Sequence, residues 1–141
     1  MTNINLSREI HAGPDRVWSI VADVDNEPYF WPGLNTINNI SKSGNTIERE
    51  VTVAFRSSES CQQTVVLNPR KSIEVLMTQG PIRGIRNIRL NSSFMDNNNT
   101  RLDISWDIDL SNMSLSDRTI TRNNIVKETV EALNRIAQVA E

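Results

Sequence analysis

The chain is short of the residues that build most recognisable chemical sites. Its 141 residues include one cysteine, Cys61, and one histidine, His11. A single cysteine excludes an internal disulfide and a cysteine zinc cluster. A single histidine with no companion motif supplies neither a metal site nor a serine-type triad. There is no Gly-rich phosphate loop, nucleotide fingerprint or His-Glu metal motif. No apolar run approaches the roughly 18 residues of a membrane span. The N-terminus, Met-Thr-Asn-Ile-Asn-Leu-Ser-Arg-Glu, lacks the basic and apolar blocks of a secretory leader, so a cytoplasmic location is the expectation. Basic excess is missing too: 15 Lys and Arg against 17 Asp and Glu give a net charge of -2, which offers nucleic acid or an anionic membrane no attraction. No cofactor and no metal are expected, and nothing points to a protein partner.

What is present suits one soluble domain over residues 1–141. Hydrophobic residues make up 38% and charged residues 23%, the balance of a globular chain with one real core. Ile4, Leu6 and Ile10 fit a first strand. Pro14 and Asp15 then open a short helix whose buried face carries Val17, Trp18, Val21 and Ala22, with Pro at the first helical position and an acid complementing the dipole. Asp23 to Pro28 reads as a break, Glu27 to Phe30 as a brief second helix, and Trp31-Pro32-Gly33 as its stop.

Period-two alternation dominates from Thr36 onward. Ile47, Arg49, Val51, Val53 and Phe55 share one face of a strand, and Cys61, Gln63, Val65 and Leu67 share a face of the next after a turn at Ser57–Ser60. Ile73, Val75 and Met77 follow, then Ile88, Leu90 and Phe94. Leu102, Ile104, Trp106, Ile108 and Leu110 form the cleanest alternation, against Asp103, Asp107 and Asp109 on a solvated face. Short turns make the consecutive strands antiparallel. The chain closes with a helix capped by Ser116 or Asp117, along which Val126, Val130, Leu133, Ala137 and Ala140 draw an apolar stripe. A lone long amphipathic helix after a run of strands buries its stripe on the concave face of a curved sheet. The fold class expected is α+β, a seven-stranded antiparallel sheet around the C-terminal helix, with two short helices between strands 1 and 2.

This order resembles the helix-grip, or START-like, superfamily (SRPBCC), which includes birch-pollen-allergen-like proteins, polyketide cyclases and lipid-transfer domains. The sharpest segment is Ile10-His11-Ala12-Gly13-Pro14-Asp15-Arg16-Val17-Trp18 through Asp23-Val24. Trp31-Pro32-Gly33-Leu34 is similar to the family's Trp-Pro-x-Leu segment, and Gly80-Pro81, Gly84 and Trp106-Asp107 add to the likeness. Among such proteins the chain looks nearest to the polyketide cyclase/dehydrase type. The resemblance implies a cavity between sheet and helix, with Trp31 near its mouth.

Candidate residues follow from polarity in the wrong place. Arg49 and Gln63 interrupt apolar faces on neighbouring strands, and Arg86 does so if the parity of Ile88 and Leu90 extends back to it. Buried polar groups need partners, so these three are candidate anchors for the polar end of a ligand; the alternative for Arg49 is that it sits at a strand end, reaches solvent or pairs with an acid. Val51, Val53, Phe55, Val65, Ile88, Leu90, Trp106, Val126 and Val130 are the candidate wall. Cys61 reads as a buried apolar residue and His11 as a rim residue. The function expected is binding of a small hydrophobic molecule, such as a lipid, isoprenoid or polyketide, by desolvation plus one or two anchors. The alternatives are a cyclase/dehydratase-like aldol enzyme, disfavoured because no inward carboxylate or histidine can be placed, and an interaction module with a filled interior.

Overall fold

A computed structural model of the chain describes residues 1–54, 56–91 and 96–141, with backbone alone at 56–58. Phe55 and Phe94 fall outside the described residues. The chain runs β1 (Thr2–Ile10), α1 (Pro14–Val21), a 3-10 turn (Val24–Asn26), α2 (Glu27–Phe30), β2 (Leu34–Ser43), β3 (Thr46–Val53), β4 (Arg56–Asn68), β5 (Ser72–Gln79), β6 (Arg83–Asn91), β7 (Thr100–Asp109) and α3 (Leu115–Ala140). All seven strands form one antiparallel sheet in the order β1-β7-β6-β5-β4-β3-β2. Every neighbour is consecutive in sequence except β1, which returns to lie beside β7. The turn expected at Ser57–Ser60 is instead part of β4. The β3–β4 ladder carries an irregularity between Thr52 and Val53, which moves the reversal back toward Ala54.

Alternation decides which side of the sheet is dry. Leu102, Ile104, Trp106, Ile108 and Leu110 are all buried, while Asp107 and Asp109 stand in solvent. Ile4 and Ile10 from β1, Ile73, Val75 and Met77 from β5, and Ile88 and Leu90 from β6 complete the inner layer. Gly84 begins the β6 ladder with φ +136, where a Cβ would run into the backbone oxygen of Asp107, so only glycine lets the strands approach there.

α3 lies across the inner face and packs against β1, α1 and α2. Its buried stripe is the expected one only in part: Leu133 and Ala137 are buried as expected, and Val126 and Ala140 pack against the core from its margin. Thr121, Ile125, Thr129, Ala132, Leu133, Ile136 and Ala137 face inward, whereas Val126 is half-buried and Val130 is 43% exposed. The stripe is rotated from the Val126–Val130 line, and it includes two threonines. Small residues let the helix sit close to the sheet, and Thr129 serves a tryptophan described below. Hydrophobicity alone therefore misplaces the phase.

The helix also starts earlier than expected. Its cap is Ser114, whose Oγ accepts from the backbone N–H of Asp117 at 3.2 Å. Ser114→Ala should cost about 1 kcal/mol of unfolding free energy. Urea denaturation checks this, and an unchanged midpoint would mean that the helix end is satisfied some other way.

Candidate ligand cleft

α2 is four residues long, too short to hold itself together in water. Its position is fixed from outside. Glu27, its first residue, turns its carboxylate into the interior, where one oxygen takes Nη2 of Arg49 from β3 and the other takes Nη2 of Arg86 from β6. Arg49 also donates through Nε to Gln63 Oε1 at 3.0 Å and through Nη1 to the Val24 carbonyl at 3.3 Å. Arg135 of α3 donates to the Tyr29 carbonyl from the other side. Glu27, Arg49 and Arg86 are 3%, 1% and 4% exposed. Burial alone would push the Glu27 carboxyl up, but Arg86 and Arg49 together hold it below its usual 4.5. Burial pulls Arg86 down from the ordinary guanidinium range against the opposing pull of Glu27, and Arg86 remains a cation.

This clamp sets the position of Trp31, which ends α2. The Arg86 guanidinium lies over the Trp31 ring at 4.3 Å and is 5.8 Å from the Trp106 ring centre. The two tryptophans meet edge to face at 5.9 Å. Trp106 donates its indole N–H to Thr129 Oγ1 at 3.0 Å, and the Thr129 hydroxyl in turn donates to the Ile125 carbonyl. One Arg86 atom, Nε, is buried with no hydrogen-bond partner among the described residues.

Beside this cluster a cleft opens between sheet and α3. Trp31, Gly33 and Leu34 form one side, Val53, Cys61, Gln63, Val75 and Met77 the floor, and Ile82, Arg86, Trp106, Ile125 and Glu128 the rest. Counting its open mouth, the depression holds about 520 Å³, but only about 40 Å³ admits the centre of a water-sized sphere. That is room for a few waters, well under the roughly 300–1,000 Å³ of a formed ligand pocket. Large side chains occupy most of the space beneath the helix.

Glu128 is the second inward carboxylate. It lies on α3 against Gly33, where any Cβ would overlap its oxygens. Among the described residues it makes no hydrogen bond or ion pair. Burial raises its pKa from 4.5 to about 7, against the lowering pull of the Arg86 charge.

Of the thirteen residues singled out in the sequence, Trp31, Val53, Gln63, Arg86 and Trp106 line the cleft. Arg49 stands behind it, fully engaged by Glu27, Gln63 and Val24. Val51, Val65, Ile88 and Leu90 are buried in the packed interior away from the cleft lining. Val126 and Val130 lie off it, and Phe55 is outside the described residues. Cys61 is buried, and burial pushes its thiol above 9.0. His11 is exposed, next to Asn99. The expectation that no inward carboxylate could be placed is corrected by both Glu27 and Glu128. Glu27 carried a signal, since two arginines on apolar faces require an acid between them. Glu128 carries one as well: it is three residues after Ile125 and four before Ala132, on the buried face that the more hydrophobic valines obscure.

No helix among the described residues is long and apolar enough to cross a membrane, and no group of three or more His, Cys, Asp or Glu could hold a metal ion there. Residues 1–141 match the family model described as polyketide cyclase / dehydrase and lipid transport. Among solved structures, the aromatase/cyclase Zhui from Streptomyces sp. R1128 superposes with TM-score 0.81 at 14% identity, covering 99% of this chain and 93% of that one. A START superfamily protein from Mycobacterium smegmatis gives 0.72 at 14%, covering 97% and 98%. An 18 kDa protein from Caulobacter crescentus gives 0.77 at 20%, covering 99% and 96%. At these identities the likeness is one of fold. No curated protein sequence matches the chain.

Proposed function

Because this chain belongs to the polyketide cyclase / dehydrase and lipid transport family, we propose that it binds a small, largely apolar molecule in the cleft between the sheet and α3. The observation that carries this reading is the pairing of an apolar floor with two uncommitted polar groups, Arg86 Nε and the Glu128 carboxyl. Binding sites for small molecules have that composition: mostly apolar surface for affinity, a few polar atoms for orientation. The cleft is narrow as it stands, so a ligand must displace part of its lining to enter.

The test is native mass spectrometry of freshly purified protein, followed by solvent extraction, with fluorescence titration of a Trp18→Phe variant so that only Trp31 and Trp106 report. The expected result is a bound apolar mass and a shifted tryptophan emission on rebinding. Protein that is always empty, with emission unmoved by fatty acids, isoprenoids and aromatic polyketide analogues, would favour a filled interaction module.

A second reading, proton transfer of the cyclase/dehydrase kind, is favoured by Glu128 alone. A carboxyl near 7 is poised to act as base and then acid. On a β-hydroxy carbonyl compound, Glu128 would take the α-proton while Arg86 holds the resulting enolate oxygen. The β-hydroxyl would then leave as water, carrying the proton that Glu128 returns. Loss of this turnover in Glu128→Gln with substrate binding retained would support it.

A further inference from the structure

The buried ionic groups do not sum to zero. Arg49 and Arg86 share one carboxylate, Glu27, so the three leave one positive charge inside the protein. Arg49 has a partner on each of its three nitrogens. Arg86 does not: its Nη2 is taken by Glu27, its flat face is covered by Trp31, and its Nε is buried without an acceptor. A buried, charged donor left unpaired costs more than an ordinary missing hydrogen bond. Arg86 is also the one member of the three with both a vacant donor and a place in the cleft lining.

We propose that the molecule received in the cleft is an acidic amphiphile, whose carboxylate or enolate oxygen accepts from Arg86 and completes the charge balance around Glu27. This rests on the binding reading above and names its ligand class. A neutral apolar molecule would leave the excess charge as it is, and a cationic one would worsen it. Glu128 occupies the same cleft and is the protein's own counter-charge to Arg86 when ionised. An entering anion meets repulsion from the ionised form and a hydrogen-bond donor in the protonated form. The charged and titratable groups that line the cleft with Glu128 are Arg86 from β6, whose charge acts on the carboxyl, and Cys61 from β4. Arg86 stays protonated and Cys61 titrates above 9.0. Of these cleft groups, Glu128 is the one that changes charge between pH 6 and pH 8. Anion affinity therefore falls as pH rises through that window.

The experiment uses matched probes, decanoate with decanol and naphthoate with naphthol, titrated into the full chain by calorimetry and tryptophan emission. Near pH 6 the acids should bind at least about tenfold tighter than their alcohols, the gain of a charge-assisted hydrogen bond. Arg86→Gln should erase that preference, so that the variant binds the acids no tighter than their alcohols. Glu128→Gln avoids disturbing the ionic cluster. It should bind decanoate about tenfold tighter than the parent protein at pH 8 and equally at pH 6. Alcohols that bind as tightly as acids would overturn the acidic class and leave the binding reading standing. Failure of all four probes would overturn both. Equal decanoate affinity of the parent and Glu128→Gln at pH 8 would remove Glu128 as the competing charge.

Discussion

Replacing Glu27 with glutamine is expected to lower the unfolding free energy by about 3–5 kcal/mol, the usual cost of leaving a buried partner charge uncompensated. The substitution preserves volume, so the loss comes from electrostatics. Arg49 and Arg86 would then face an amide whose NH₂ is itself a donor, and two cations would remain buried together. Urea denaturation at pH 7 measures it, with the exposed Glu48→Gln as a control that should change little. Replacing the three together by apolar residues of similar size, Glu27→Leu with Arg49→Met and Arg86→Met, should recover much of the loss. The pH dependence has a definite sign. Glu27 is held below 4.5 in the folded state, so its contribution is present above the unfolded value and fades as pH falls through the folded one. The glutamine variant should lack that acid-side loss. A change under about 1 kcal/mol at pH 7 would mean that water or a neighbouring group already compensates the arginines.

Glu128→Gln should act in the opposite direction. The folded pKa of about 7 lies above the unfolded value near 4.5, so the native state holds this proton more tightly. Stability from this group is complete below 4.5, declines as pH rises toward 7, and levels off above it. The neutral amide escapes that decline. At pH 8 the variant should be more stable by about 1–3 kcal/mol, the upper end being the full separation of the two pKa values and the lower end allowing for partial solvation. At pH 4 the two proteins should match. Taken together, Glu27 weakens the fold toward acid and Glu128 weakens it as pH rises toward 7, so these two groups favour mildly acidic conditions. Denaturation curves across pH 4 to 8 show whether the slope above 5 disappears in the variant, and a persistent slope would assign it to another group.

The strands and short helices could be read from the chain because alternation and punctuation are local signals. Leu102 to Leu110 needs only its own sequence to declare an inner and an outer face, and Pro14 with Asp15 marks a helix start unaided. α3 was harder. Its inward side uses Thr121, Thr129 and Ala132, chosen for close approach and for the Trp106 indole. The valines that dominate a hydrophobicity count sit to one side. The site was half visible for the same reason. Arg49, Gln63 and Arg86 stand out as polar residues on dry faces, whereas Glu27, the partner of the two arginines, lies at the start of a four-residue helix, where an acid has an ordinary local explanation. Which of the three arginine-cluster partners meets which, and how much space is left beside them, depends on packing between segments far apart in sequence.

The neighbour relation of β1 and β7 has a consequence for synthesis. Ile4 stands opposite Trp106 and Ile10 opposite Thr100, so within this sheet the strand made first pairs with the strand made last. Strands two to seven can zip hairpin by hairpin as they emerge, each closing a short loop. β1 must wait, unpaired, until β7 has been made. Its alternation with Asn3, Asn5, Ser7 and Glu9 gives the waiting segment a polar side that discourages premature association.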